Sequence, residues 1–130
     1  MVIDTSAIVA ILFGESEATR LEGAIADDPV RLLSAANLLE TALVVEGRLG
    51  EAGGRELDLL LHVAGLEVVS VTQAQVEIAR RAFRRYGKGR HPARLNFGDC
   101  FAYGLAKSAG EPLLFKGDDF THTDVEAAAG

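Results

Sequence analysis

The sequence has few of the residues from which disulfides, zinc sites and aromatic binding surfaces are commonly built. Among its 130 residues there is one cysteine, there are three histidines, and tryptophan is absent. The single Cys100 excludes an internal disulfide and fits a reducing compartment, so we expect a cytoplasmic protein. A zinc site made of Cys and His would need more of these ligands at closer spacing.

Long apolar stretches are also missing. No stretch reaches the ~18 apolar residues that a membrane-spanning helix requires, so we expect no association with a membrane. The opening segment MVIDTSAIVAILFG is apolar, but it contains Asp4 and no basic residue. A secretion signal would begin with a basic region, and this segment instead predicts a strand that leads into a helix.

Positive charge is scarce as well, because the chain has a formal net charge of −6. The basic residues are nevertheless concentrated between positions 78 and 98, where no acid occurs. We call this stretch the basic segment. It is compatible either with a solvated helix face or with a surface that binds phosphates. Its members are Arg80, Arg81, Arg84, Arg85, Lys88, Arg90 and Arg94.

Hydrophobic periodicity and turn residues predict regular alternation of strands and helices. Strands are expected at residues 2–4, 31–34, 66–71 and 112–115. Helices are expected at residues 7–13, 16–27, 37–49, 55–64, 72–86 and 96–109. The order β-α-α-β-α-α-β-α-α-β predicts one domain over residues 1–130, with the α/β fold class. We expect a three-layer α/β/α sandwich around a mainly parallel sheet.

Five acidic residues stand where a predicted strand ends or a predicted helix begins. Asp4 follows the first strand, and Asp118 and Asp119 follow the last one. Glu40 lies in the first turn of one helix, and Asp99 lies at the start of another that is apolar on nearly all sides. The carboxyl ends of parallel strands form the usual ligand-binding edge of such a sheet.

Each of these acids also has an ordinary structural interpretation. Asp4 and Asp99 can cap the helices that follow them, Thr5 or Ser6 can serve as the first cap, and Glu40 has the spacing of a capping box with Asn37. Asp residues such as Asp118 and Asp119 are common in turns.

A shared location gives these acids a common chemical consequence. Carboxylates that converge without basic partners repel one another, and their pKa values rise. A divalent cation removes this conflict, and carboxylate and water ligands suit Mg²⁺ or Mn²⁺. The sequence therefore predicts a Mg²⁺ or Mn²⁺ site.

Four segments resemble the PIN domain of VapC-type toxins, in the same order and over nearly the whole chain. They are MVIDTSA at the start, LLE at 38–40, NFGDCFAYGLA at 96–106 and LLFKGDDF at 113–120. The resemblance implies an α/β/α sandwich and a Mg²⁺- or Mn²⁺-dependent endoribonuclease. It also implies a homodimer that is held inactive by a cognate antitoxin protein.

The same resemblance implies roles for individual residues. Asp4, Glu40 and Asp99 would be the main catalytic acids. Either Asp118 or Asp119 would be the fourth, with Asp118 slightly favoured. Thr5 or Ser6 would be accessory. On chemical grounds we expect Asp4, Asp99 and the Asp118/Asp119 pair to hold one or two metal ions, directly or through water, and Glu40 to orient the attacking water as a base or second ligand. From its charge we expect the basic segment to bind the RNA backbone.

Two other functions remain open at this point. A phosphatase or phosphoacceptor domain would use Asp4 as its nucleophile, but the Asp-x-Asp pattern of one such class is broken by Ser6. A non-catalytic PIN-like module would bind RNA or a protein without cleaving anything.

Overall fold

The computed structural model describes residues 1–89 and 91–128, so Arg90 of the basic segment lies outside the described residues. The strands are β1 (Val2–Ile3), β2 (Leu32–Ser34), β3 (Glu67–Val69) and β4 (Leu113–Leu114). The helices are α1 (Thr5–Leu12), α2 (Ala18–Asp27), α3 (Ala35–Val63), α4 (Gln73–Tyr86) and α5 (Phe97–Ala109), and a 3-10 turn follows at Asp119–His122. Within the described ranges, no helix is long and apolar enough to cross a membrane.

The four strands form one parallel sheet in the order β3-β2-β1-β4. The chain builds outward from β1 to β3 and then returns to place β4 on the free side of β1. Strand order therefore reverses between β1 and β4, where Val2 is paired with both Leu32 and Leu113. Such a reversal opens a crevice beyond the carboxyl ends of the central strands.

Alternating residues of β1 face two separate hydrophobic cores, as the period of a strand requires. Val2 belongs to the core formed with α4 and α5, which includes Leu95 and Tyr103. Ile3 belongs to the core formed with α1, α2 and α3, which includes Ile8 and Leu21. The predicted three-layer α/β/α sandwich is confirmed.

α3 runs from Ala35 to Val63 and consists of two helical segments that meet at Gly50, close to where the sequence predicts a break between two helices. Gly50 has φ 66° and ψ −159°, which are not helical values, and it marks the kink between the two segments. The start of this helix was predicted wrongly. Ser34 is the cap, because its side chain accepts a hydrogen bond from the backbone N–H of Ala36, so Asn37 lies inside the first turn.

Three smaller predictions also change. The cap of α1 is Asp4 rather than Thr5 or Ser6. Strand β3 is shorter than expected and is largely exposed, since it lies at the edge of the sheet. The predicted turn after β4 continues into the 3-10 turn at Asp119–His122.

Candidate active site

Asp4 lies at the carboxyl end of β1, the strand next to the point where strand order reverses. The backbone N–H of Ser6 donates to Asp4 Oδ2 at 3.0 Å, and the Ser6 hydroxyl donates to the same oxygen at 2.6 Å. Burial nevertheless raises the Asp4 pKa to about 6, because a carboxylate loses hydration there and Glu40 repels it. Asp4 therefore caps α1 and also interacts with a second carboxylate, that of Glu40.

The Ser6 hydroxyl also joins the two strands that flank the crevice. It donates to Asp4 and accepts a hydrogen bond from the backbone N–H of Lys116 at 3.0 Å. Lys116 follows β4, so this hydroxyl ties the carboxyl end of β4 to that of β1. Ser6 therefore has the accessory position that the sequence suggests.

Glu40 reaches the same edge from the first part of α3. The Thr5 hydroxyl donates to Glu40 Oε1 at 2.5 Å, and Asn37 Nδ2 donates to the same oxygen at 3.1 Å. The capping interpretation of Glu40 is wrong, because Ser34 caps this helix. Glu40 is held instead by two neutral donors on the first and third helices of the chain.

Gly98 makes room for this carboxylate at the start of α5. A Cβ atom at position 98 would lie 1.9 Å from Glu40 Oε2 and 2.6 Å from its Cδ. No side chain other than hydrogen fits at that separation. The glycine therefore allows the Glu40 carboxyl group to lie directly against the backbone of α5.

Asp99 lies one residue further along the first turn of α5. It forms a capping box with Asn96, in which Asn96 Oδ1 accepts from the Asp99 backbone N–H at 2.9 Å and Asp99 Oδ2 accepts from the Asn96 backbone N–H at 3.1 Å. Its pKa is nevertheless raised to about 7. Burial is the largest cause, and repulsion from Asp4, Asp119 and Glu40 adds to it.

The fourth acid can be distinguished on this evidence. Asp119 is one of the three carboxylates whose repulsion raises the Asp99 pKa. Asp118 precedes the 3-10 turn and makes no side-chain capping bond, and both acids are exposed. The sequence slightly favours Asp118, whereas the electrostatic interaction with Asp99 favours Asp119 as the member of the cluster.

The acidic cluster therefore consists of Asp4, Glu40, Asp99 and Asp119. In the described ranges, no three His, Cys, Asp or Glu side chains lie in position to hold a metal ion together. This arrangement still suits Mg²⁺, which usually retains several waters and takes only one or two protein carboxylates. The chemistry of the donors fits the predicted metal, with water completing its coordination.

The basic segment divides between two faces of α4 and the loop after it. Arg80, Arg84 and Lys88 follow one another at intervals of four residues and line a groove between α4 and α5. Arg81 and Arg85 line a separate depression beside Tyr86. The single strip suggested by the sequence is therefore two surfaces. The remaining member, Arg94, is exposed in the loop before α5.

The groove beside Arg80 and Arg84 has a volume of about 730 Å³, and none of the four acids of the cluster lines it. Its wall on α5 contains Asn96 and Phe97, from the same helical turn as Asp99. Phe97 is 81% exposed, although the sequence predicts a buried helix here. Phe83 also lines the groove and is 37% exposed.

The profile of the PIN domain matches residues 1–126 of the sequence. This chain belongs to the PIN-domain family. Within the family it is 64% identical over 127 residues to "Ribonuclease VapC" of Mycolicibacterium smegmatis, with 98% of each chain covered. It is 60% identical over 129 residues to "Ribonuclease VapC30" of Mycobacterium tuberculosis, covering 99% of this chain and 98% of that one. The predicted kinship with VapC-type PIN domains is confirmed.

Solved PIN-domain structures share the fold at much lower identity. VapC20 of Mycobacterium tuberculosis, a sarcin–ricin loop cleaving toxin, has a TM-score of 0.77 at 20% identity, with 95% of each chain covered. VapBC2 of Rickettsia felis, bound to a promoter DNA fragment, has a TM-score of 0.73 at 17% identity, with 97% of this chain and 94% of that one covered. These likenesses support the PIN fold, and at such identity they extend no further.

The raised pKa values predict how the metal-free PIN domain responds to pH. Both values lie above the 3.8 of an ordinary Asp, so the folded state binds more protons than the unfolded state between pH 4 and 7. Asp4 and Asp99 therefore stabilise the folded, metal-free protein most at low pH, where both are protonated. Their contribution to its free energy of unfolding falls as the pH rises through their pKa values of about 6 and 7. In EDTA, we expect Asp99→Asn to raise Tm at pH 8 and to flatten its dependence on pH. A shift of one pKa unit between the unfolded and folded states corresponds to about 1.4 kcal/mol in the free energy of unfolding.

Thermal unfolding at pH 5 and pH 8 measures this effect. The exposed acid variant Asp58→Asn is the control, and its pH dependence should match that of the unmodified chain. A lower Tm for Asp99→Asn at pH 8 would show that the cluster is not under electrostatic strain.

The contact between Gly98 and Glu40 predicts that a methyl group added at position 98 destabilises the protein only while the Glu40 side chain is present. Gly98→Ala should lower the free energy of unfolding by about 1–3 kcal/mol, because the Cβ overlaps Glu40. The loss should largely disappear in a Glu40→Ala background, where the overlapping atoms are absent. Gly23→Ala is the control, since nothing lies within 4 Å of its Cβ, and it should stabilise by about 0.5–1 kcal/mol. Denaturant unfolding of the single and double variants tests this. Equal losses in both backgrounds would contradict the contact.

Proposed function

We propose that this PIN-domain protein is a Mg²⁺- or Mn²⁺-dependent endoribonuclease and the toxin of a toxin–antitoxin pair. The observation that carries the proposal is the acidic cluster. Asp4, Glu40, Asp99 and Asp119 meet beyond the carboxyl edge of a parallel sheet, and the pKa values of Asp4 and Asp99 are raised by burial and mutual repulsion. The chain is at least 60% identical to proteins named as VapC ribonucleases.

The metal would be held by Asp4, Asp99 and Asp119, directly or through water. When bound, Mg²⁺ or Mn²⁺ supplies a lower pKa for its water and stabilises negative charge that develops on the phosphate. Binding would also relieve the repulsion between the carboxylates, which form no ion pair with a basic side chain in the part of the chain that the structure describes.

Glu40 is suited to orient the attacking water. Its Oε1 accepts hydrogen bonds from Thr5 and Asn37, while its Oε2 lies against Gly98. A carboxylate held on one oxygen keeps the other in a defined position, where it can accept a proton from water. The water oxygen attacks phosphorus and the bond to the ribose 3′-oxygen breaks. This step leaves a 5′-phosphate and a 3′-hydroxyl.

Arg80, Arg84 and Lys88 would hold the RNA backbone next to this cluster. An acidic site repels phosphate, and flanking cations are needed to bring a polyanion close to it. These three side chains line the groove that also contains Phe97, whose exposed ring can stack on an unpaired base. Single-stranded or looped RNA is therefore the expected substrate. Arg81, Arg85, Arg90 and Arg94 remain further candidates for backbone contacts.

A protein partner is part of the same proposal. Solved relatives with the same fold include a toxin–antitoxin complex from Klebsiella pneumoniae, with a TM-score of 0.70 at 16% identity, and VapBC2 from Rickettsia felis. We expect a small cognate antitoxin to inhibit this chain, and we expect the active form to be a cytoplasmic homodimer.

Cleavage of total RNA tests the proposed activity. The unmodified chain should cut RNA internally with Mg²⁺ or Mn²⁺ and stop in EDTA. Asp99→Asn should lower the rate at least 100-fold, because it removes one charge from the cluster. End-labelling should find 5′-phosphates. A 2′,3′-cyclic phosphate would contradict attack by water, and hydrolysis of a phosphomonoester without RNA cleavage would favour a phosphatase.

The choice of fourth acid can be tested with two adjacent variants. Asp119→Asn should weaken Mn²⁺ binding and slow cleavage by about 10-fold or more, because Asp119 interacts with Asp99. Asp118→Asn should leave both close to the unmodified values. Titration calorimetry with Mn²⁺ and single-turnover cleavage measure the two effects. The opposite ranking would assign the role to Asp118.

A further inference from the structure

Asn37 is a buried polar residue at the point where the acidic cluster meets α5. It lies in the first turn of α3, three residues before Glu40, and its side chain is fully buried. Burial of an amide is costly unless its hydrogen bonds are made inside the protein. The partners of this amide therefore indicate why it is present.

The amide nitrogen of Asn37 connects two parts of the site. Nδ2 donates to Glu40 Oε1 at 3.1 Å and to the backbone carbonyl of Gly98 at 3.0 Å. The orientation of the amide follows from chemistry, because a rotated amide would place Oδ1 against two acceptors. Asn37 therefore links the Glu40 carboxylate to the helix turn that contains Asp99.

The oxygen atom of the Asn37 amide is not stabilised by a hydrogen bond from the described residues. Asn37 Oδ1 is buried and has no hydrogen-bond partner among the described residues. The Gly98 carbonyl is already placed to accept a bond within α5, since helical carbonyls pair with the N–H four residues later. An apolar side chain would avoid the unpaired oxygen, so stability of the fold alone does not account for asparagine at this position.

We propose that Asn37 is a positioning residue that fixes the Glu40 carboxylate against the start of α5. The catalytic purpose of this positioning rests on the proposed nuclease function. The hydrogen bonds from Asn37 to Glu40 and Gly98 are present in the protein without metal. Thr5 and Asn37 together hold Oε1, and this prevents rotation of the carboxyl group. Glu40 Oε2 is left beside Gly98 and accepts no hydrogen bond from the described residues. It remains available to water or to a hydrated cation.

A comparison of Asn37→Ala with Ser34→Ala separates positioning from simple stabilisation. Both residues are fully buried polar groups at the start of α3, but Ser34 bonds only the backbone of Ala36. Ser34→Ala should lower Tm through loss of the helix cap and leave kcat for RNA cleavage unchanged. Asn37→Ala should lower kcat about 10–100-fold with little change in KM, because Glu40 would no longer hold the attacking water in place.

A measurement without metal tests the positioning itself. Gly98→Ala lowers Tm only while Glu40 is held against it, so its Tm loss should shrink in the Asn37→Ala background and persist in the Ser34→Ala background. An undiminished loss in the Asn37→Ala background would overturn the proposal, as would an unchanged kcat for Asn37→Ala. If the Tm loss shrinks but the unmodified chain binds no Mn²⁺ and cuts no RNA, Asn37 holds Glu40 and the proposed nuclease function is wrong.

Discussion

Mutual repulsion among four carboxylates is the constraint around which the functional edge of this protein is organised. Their charges would separate in an unstructured chain, and the fold instead brings Asp99 close to Asp4, Glu40 and Asp119. Burial adds to the penalty by removing water. The fold compensates locally, with Ser6 donors at Asp4, Thr5 and Asn37 donors at Glu40, and the Asn96 backbone at Asp99. These neutral donors orient the carboxylates while leaving the cluster negative.

The topology of the sheet explains why the carboxylates meet at all. Parallel strands end at one edge, and the reversal between β1 and β4 leaves a crevice there, so Asp4 and the segment after β4 are neighbours. Helices that return to this edge begin at it, which brings Glu40, in the second turn of α3, and Asp99, in the first turn of α5, to the same place. The two helix starts can approach closely because Gly98 has no side chain.

Much of this arrangement could be predicted from local patterns. The alternation of strands and helices, the parallel sheet and the acids at element ends all follow from short-range periodicity and turn chemistry. The predicted Asp99 cap is confirmed, because a capping box involves only four consecutive residues. The predicted role of Asn37 as a cap is wrong, since its amide pairs with a carbonyl 61 residues away. The basic segment is likewise split between two surfaces. Which surface each side chain joins depends on its direction around α4 and on the position of α5, and neither can be read from composition.

The sequence by itself determined the fold class, the membership of the PIN-domain family and the set of acids from which a metal site can be made. These properties depend on residue type and on order along the chain. Only the tertiary structure shows the interaction of Asp119 with Asp99, the hydrogen-bond partners of Glu40 and the cations that border the groove. Each of those depends on distances between residues far apart in the chain, and electrostatic and hydrogen-bond energies fall steeply with such distances.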